Sequence, residues 1–382
     1  METAGFVAGI KQYVVANTQG MYGDLKDLCA IPAPSHFEHE RAEYCKKWLV
    51  RAGADGVYID DALNVVFPLG CDGSDEITVF AAHTDTVFPD REPMPYTDDG
   101  EKIYSPGVGD NTASVVSLLY MAKYFIENNI VPPKGILFVC NSCEEGLGNL
   151  KGVRQLFSDF EGRIKQFVTF DNNYNVIANH CAGSHRYEVE VLTQGGHSYQ
   201  AFGRANANAV LAKMIAEIYK LSVPEKEGTR TTYNVGIISG GTSINTISQK
   251  ASMLCEYRSN DRECLEYMRQ KFEAIFDSVR SDEVKVNVTK IGDRPCENVD
   301  QAKVEELAAK VVGEINGVVD DEVVFRCSST DCNIPLSLGI PAINMGIGKH
   351  YGSHTREEYL IKNSLIPGLE IAIRTGIKLM EE

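Results

Sequence analysis

Hydrophobic and polar positions repeat with two different periods along this chain, and the place where one gives way to the other divides it. Helical spacing of apolar residues covers 1–30 and 38–53, and Ile31-Pro-Ala-Pro-Ser breaks the chain between them. Apolar runs then predict strands over 57–60, 64–68, 77–82, 136–141 and 166–170. Val115, Leu118, Leu119, Ala122 and Ile126 share one face of a helix predicted over 112–128. Strands alternating with helices imply an α/β arrangement, a largely parallel sheet covered on both sides.

Near residue 180 the period shortens to two. Arg186-Tyr-Glu-Val-Glu-Val-Leu, Tyr233-Asn-Val-Gly-Ile-Ile and Ala251-Ser-Met-Leu-Cys-Glu-Tyr alternate polar and apolar, as antiparallel strands with one solvated face do. Helices over 206–221 and 262–279 interleave with them, and a strand over 284–290 closes the set. The order β-α-β-β-α-β fits a small ferredoxin-like α+β domain. From about residue 296 the first texture returns, with a helix over 300–316, the run Ile340-Pro-Ala-Ile-Asn-Met and a last helix over 363–381. The expected organisation is a first domain in two parts, 1–180 and 295–382, with 181–294 inserted into it.

Composition narrows the function. With 382 residues, 43% hydrophobic and 24% charged, the chain can bury two ordinary cores. A net charge of −16 argues against nucleic acid as a partner. No apolar run reaches the roughly 18 residues of a membrane span, and the N-terminus reads as an amphipathic helix rather than a signal peptide. The 11 cysteines are scattered without a framework, as expected of reduced thiols in a cytoplasmic protein. Cys140-Asn-Ser-Cys143 lacks the second pair that a structural zinc site needs, so buried free thiols are expected there.

The candidate chemistry lies where apolar runs end. His83-Thr-Asp85 closes the run from Ile77, Glu144-Glu145 follows the run from Ile136, and Asp171 follows Phe167-Val-Thr-Phe. Open α/β sheets gather their sites at such strand ends. Asp110 in Gly107-Val-Gly-Asp-Asn and His354 in Tyr351-Gly-Ser-His-Thr complete a set of imidazoles and carboxylates suited to a hydrolytic metal site. Asp85 is spaced to accept the second ring N–H of His83. Glu144 and Glu145 are adjacent and cannot point the same way from an extended backbone, which suits one to metal and the other to proton transfer.

Four further stretches accompany these: Gly195-Gly-His197-Ser198, Gly240-Gly-Thr-Ser-Ile-Asn245, Tyr257-Arg258 and His354-Thr-Arg-Glu-Glu358. Taken in order, they make nearly the whole chain resemble a di-zinc metallopeptidase and amidohydrolase family. That family includes peptidase T, glutamate carboxypeptidase, acetylornithine deacetylase and succinyl-diaminopimelate desuccinylase. Peptidase-T-like members are nearest around Cys143-Glu-Glu-Gly-Leu-Gly-Asn and the His354 segment.

The resemblance implies a zinc-peptidase catalytic domain with a mostly parallel central sheet, plus an inserted ferredoxin-like domain acting as lid and dimerisation surface. It implies two divalent ions, zinc first and cobalt or manganese as alternatives. Asp110 would bridge them, with His83 and Asp171 completing one site and Glu145 and His354 the other. His350 competes with His354, and the Gly-Ser-His-Thr-x-x-Glu setting favours His354. Glu144 would be the general base, Asp85 would orient His83, and the Asp110–Asn111 peptide bond would be cis. His197 would reach the partner subunit's cleft in a homodimer and hold the developing oxyanion, while Arg258 and Asn245 would hold a substrate carboxylate. Glu256-Tyr257 stands where relatives often have Asp-x before the arginine, and no individual role follows for the loop Ser328-Ser-Thr-Asp331. The expected substrate is a di- or tripeptide; an N-acyl amino acid cut by a deacylase or carboxypeptidase is the alternative, and a silent small-molecule binder the remote one.

Overall fold

The computed structural model describes residues 2–380, with side chains from residue 7 onward; Met1 and the expected helical position 381 lie outside the described residues. Two compact units emerge, one running to His180 and resuming at Asn298, the other spanning Cys181–Glu297.

The first unit is built on an eight-stranded sheet. At its centre Ile77–His83 runs parallel to Gly135–Asn141 on one side and Ile164–Phe170 on the other, and Ala342–Met345 lies parallel beyond Ile164–Phe170. Every residue of Ile77–His83 and Gly135–Asn141 is buried, which is why these strands read as continuous apolar runs rather than alternating ones. Antiparallel strands flank this centre, Val65–Leu69 and Tyr58–Ile59 on one side and Val176–Cys181 on the other, where Val324–Ser328 forms the outer edge. His83 and Asn141 are register partners, so the segments that follow them leave the sheet at the same edge.

Helix Ala113–Glu127 is buried over most of its surface, and Leu365–Met380 packs against it where Gly376 meets Met121 and Phe125 with no room for a Cβ. The helix expected from 112 is preceded by a π-helical turn over Val108–Thr112, broken by the non-helical backbone of Asp110 and Asn111. Three features were not expected, although Val153, Leu156 and Phe157 of the first carry helical spacing. They are helix Lys151–Asp159, the edge strands Val176–Cys181 and Val324–Ser328, and a small antiparallel sheet of His350–Tyr351, Tyr359–Ile361, Lys102–Tyr104 and Thr97–Asp98. The small sheet ties the C-terminal hairpin to the segment leading into Asp110.

The second unit is a four-stranded antiparallel sheet in the order Thr231–Gly240, Lys250–Ser259, Gly183–Leu192, Lys285–Arg294, with helices Ala207–Ile218 and Arg262–Ser278. This is the ferredoxin-like order. Lys250–Ser259 alternates buried and less buried positions along its length, the pattern that its period-two sequence predicts. Asn206 and Asp261 cap the two helices through their side chains, accepting from Asn208 N and Cys264 N. Phe272 is fully buried, and its ring centroid lies 4.8 Å from that of Tyr257 and 5.9 Å from that of Phe276. Phe272→Ala should destabilise this unit by about 3–5 kcal/mol, the range for truncating a buried aromatic. Urea unfolding followed by circular dichroism checks this, and a loss under about 1 kcal/mol would mean that the core refills the space.

Candidate metal centre

The ends of the parallel strands bring the predicted residues together. Asp85 is fully buried just beyond His83. Its Oδ1 accepts from the backbone N–H of Glu144 (3.0 Å), and its Oδ2 accepts from the N–H of Glu145 (2.9 Å) and from Ser35 Oγ (2.6 Å). His83 Nδ1 lies 3.1 Å from the Asp85 carbonyl oxygen and 3.4 Å from its carboxylate, so the expected support reaches the ring mainly through the backbone. Burial opposes its ionisation, yet His83, Ser35 and the amides hold the Asp85 carboxyl below its ordinary range.

Asp110 follows a turn and is joined to Asn111 by a cis peptide bond, as the resemblance implies. Its Oδ1 is 3.2 Å from His83 Nε2 and its Oδ2 is 3.3 Å from His354 Nε2; His354 Nε2 is in turn 3.2 Å from Glu145 Oε1. Two groups of potential donors, each within 4.8 Å of one another, therefore share Asp110: His83, Asp110 and Asp171, and Asp110, Glu145 and His354. Glu144 stands within the same distance of His83 and Glu145. His350 does not join them. It presses on Gly109 where a Cβ would collide, its N–H bonds Asn173 Oδ1 at 2.8 Å, and burial lowers its pKa.

The electrostatics ask for a cation. Burial, then the charge of Asp110, pushes Asp171 well above the ordinary carboxylate range, and burial likewise raises Glu145. Asp110 and Glu145 push His354 up to about 11. His83 Nε2 and Glu145 Oε1 are buried without a hydrogen-bond partner: their contacts at 3.2 Å have ion-pair separation but not hydrogen-bond geometry. Imidazole nitrogens and carboxylate oxygens left in this state fit divalent ions of the zinc type.

Other residues take part that had been given no role of their own. Glu38 is buried and accepts from the backbone N–H of Cys143 (3.0 Å) and from its thiol (3.3 Å). Burial and Glu38 push that thiol up to about 12, in keeping with an unreactive buried cysteine. Arg41 is buried beneath the site and donates to the carbonyls of Ile31 (2.8 Å) and Thr84 (2.9 Å). Asp331, in the loop left without a role, accepts from Asn141 Nδ2 at 2.8 Å. Glu358 bonds the backbone of the Asp110 turn.

Three predicted residues belong to the second unit. His197 and Asn245 are brought together: His197 pairs with Thr246, and Ser198 N donates to the Asn245 carbonyl at 2.9 Å. Arg258 is not with them; it lies near the opposite end of strand Lys250–Ser259, roughly 25 Å away along the strand. Its guanidinium grips Glu256 through Nε (2.8 Å) and Nη2 (3.0 Å), and Arg186 shares that carboxylate at 3.2 Å.

A sheet-edge cluster of imidazoles and carboxylates on an α/β scaffold defines a metal-dependent hydrolase. The profile of Peptidase family M20/M25/M40 matches residues 79–377, and the chain belongs to that family. The chain is 24% identical to a putative succinyl-diaminopimelate desuccinylase of Mycobacterium tuberculosis, over 91% of this chain and 95% of the relative. Among solved structures, aminopeptidase PepT of Bacillus cereus superposes with a TM-score of 0.73 at 22% identity, covering 96% of this chain and 99% of that one. A Bacillus subtilis protein described as a dinuclear metal-binding peptidase of family M20 gives a TM-score of 0.63 at 15% identity, covering 96% and 99%.

Burial, with the charge of Glu144 adding to it, raises Asp331 from 3.8 to about 7. The folded chain therefore holds this proton more tightly than the unfolded chain, and the resulting stability, complete below about pH 4, is lost as pH rises to about 7. Asp331→Asn cannot ionise. In metal-free protein its melting temperature should gain on wild type at about pH 8, and the gain should shrink at about pH 5. A difference that does not vary between those two pH values would refute the raised pKa.

Proposed function

We propose that the protein is a di- or tripeptidase of the peptidase-T type, hydrolysing an amide bond in a short peptide in the cytoplasm. The observation that carries this reading is the pair of donor groups sharing Asp110, with Glu144 beside them. His83, Asp110 and Asp171 would hold one divalent ion, and Asp110, Glu145 and His354 the other, zinc first with cobalt or manganese as alternatives. Such ions, when bound, polarise the substrate carbonyl and lower the pKa of water toward about 7.

Glu144 takes the proton of the attacking water and returns it to the departing amine. Asp85 keeps the acidic pair in place through both backbone amides. His197 donates to the developing oxyanion. Arg258 and Asn245 hold the substrate carboxylate, and Arg258 must share its fork with Glu256 to do so. The relation to a putative desuccinylase supports a second reading, a deacylase or carboxypeptidase on an N-acyl amino acid. An intact base beside a full donor set speaks against a silent binding protein.

The separation within the second unit bears on assembly. Backbone positions roughly 25 Å apart along one strand do not hold one small carboxylate within a single copy of this unit, which supports drawing His197 from a second copy. Strand Thr231–Gly240 lies at the sheet edge with Ile237 58% and Ile238 65% exposed, a surface suited to pairing with a second copy.

Glu144→Gln should retain metal while turnover falls by about 10²–10⁴ or more, whereas Glu145→Gln should weaken occupancy of one metal. Metal analysis alongside assays on pooled peptides and N-acyl amino acids checks this, and the opposite pattern would reverse the two roles. Full hydrolysis by thoroughly chelated enzyme would sink the metal-dependent reading. In mixed dimers of His197→Ala with Glu144→Ala, one working site should reappear, giving roughly a quarter of wild-type activity after random equal mixing. Activity that stays at the parents' level, once mixed dimers are shown to form, would confine His197 to its own chain or to no role.

A further inference from the structure

Glu358 has no solvent exposure, yet its carboxylate meets no cationic side chain among the described contacts; it is surrounded by backbone. Oε2 accepts from the N–H of Gly107 at 2.7 Å, and Oε1 accepts from the N–H groups of Gly109 and Asp110, both at 2.8 Å. Its own carbonyl accepts from Ser105 N at 3.2 Å. The turn that presents Asp110 is thus held at four points by one residue. On its other flank, His350 packs against Gly109.

Glu358 and His350 belong to the two arms of one hairpin, in which His350 pairs with Leu360 and Tyr351 with Tyr359. The loop between the arms carries His354, whose Nε2 lies 3.3 Å from Asp110 Oδ2. The His354 side chain is 55% exposed, so packing does little to fix it, and its place depends on the backbone that carries it. We infer that Glu358 is a positioning residue of the metal centre: by clamping the amides of Gly107, Gly109 and Asp110 to the hairpin, it sets Asp110 and His354 relative to each other. This rests on the proposed metal-binding reading. The chemistry needs a carboxylate, since only two acceptor oxygens without a donor can serve three converging N–H groups.

The test compares wild type, Glu358→Gln and Glu358→Asp. The Gln variant replaces one acceptor with an N–H₂ group facing N–H donors, and the Asp variant keeps the charge on a shorter arm. In metal-free protein, hydrogen exchange of the amides over 105–112 should speed up by at least about tenfold in Glu358→Gln, with the strand over 77–83 unchanged. Zinc affinity, read by competition with a chromophoric chelator, should weaken by about 10–100-fold, and Glu358→Asp should recover part of both effects. If Glu358→Gln fails to fold, Glu358→Asp carries the same two measurements. Unchanged exchange over 105–112 would overturn the clamp. Faster exchange with unchanged zinc affinity would overturn the positioning role and leave Glu358 a purely structural residue. A wild type that binds no divalent ion would instead defeat the metal-binding reading and the role in it, while the exchange data still decide the clamp.

Discussion

The constraint on which the rest depends is the burial of like charge at one edge of the parallel sheet. Glu38, Asp85, Glu145, Asp331 and Glu358 are all buried, and Asp110 and Asp171 lie among them. Buried carboxylates are costly unless something answers their charge. Two different answers are used. Toward the interior, Asp85, Glu38 and Glu358 point at backbone N–H groups, which need an acceptor in any case, and Arg41 supplies a buried cation beneath them. Toward the cleft, Asp110, Glu145 and Asp171 are left facing imidazoles and one another; burial raises Glu145 and Asp171, while against the same burial His354 and His83 hold Asp110 down, the pattern of a place where a cation is wanted. The inner carboxylates are thus answered by the backbone, and the outer ones are left to the candidate metal centre.

Much of this was legible in the sequence because the relevant signals are periodic or punctual. The central strands announce themselves as unbroken apolar runs, and the inserted unit by its alternation. The residues at the run ends, His83, Asp85, Glu144, Glu145 and Asp171, stand where strands must stop. Glu358 and Asp331 stand in quoted segments, but their roles were not legible, because what makes them matter is a backbone amide or an asparagine supplied by a segment far away in sequence. The small sheet that brings His350, His354 and Glu358 to the Asp110 turn has strands of two or three residues, too short to show any period. Asn245 and Arg258 sit in recognisable motifs, but their separation is a property of the strand between them and appears in neither motif.

On the proposed reading, the pairing of Arg258 with Glu256 bears on how a substrate carboxylate would be received. A guanidinium engaged through Nε and Nη2 is oriented and partly neutralised, so an incoming anion would meet a fixed edge rather than a mobile full charge. Recognition at such a residue relies more on shape than on long-range attraction, which suits a chain whose net charge of −16 would repel small anions at a distance.

The strand order also dictates a timetable for synthesis. Ala342–Met345 sits between Ile164–Phe170 and Val176–Cys181, so the large sheet has an internal slot that stays empty until residue 345 has been made. The inserted unit, continuous in sequence over Cys181–Glu297, can assemble while the first unit waits with an open gap and exposed strand edges. The filling strand, the hairpin bearing His354 and helix Leu365–Met380 all emerge after the inserted unit. On the ribosome, then, the candidate metal centre waits for segments made after that unit, and a chain stopped before them carries the acidic cluster without the means to close it.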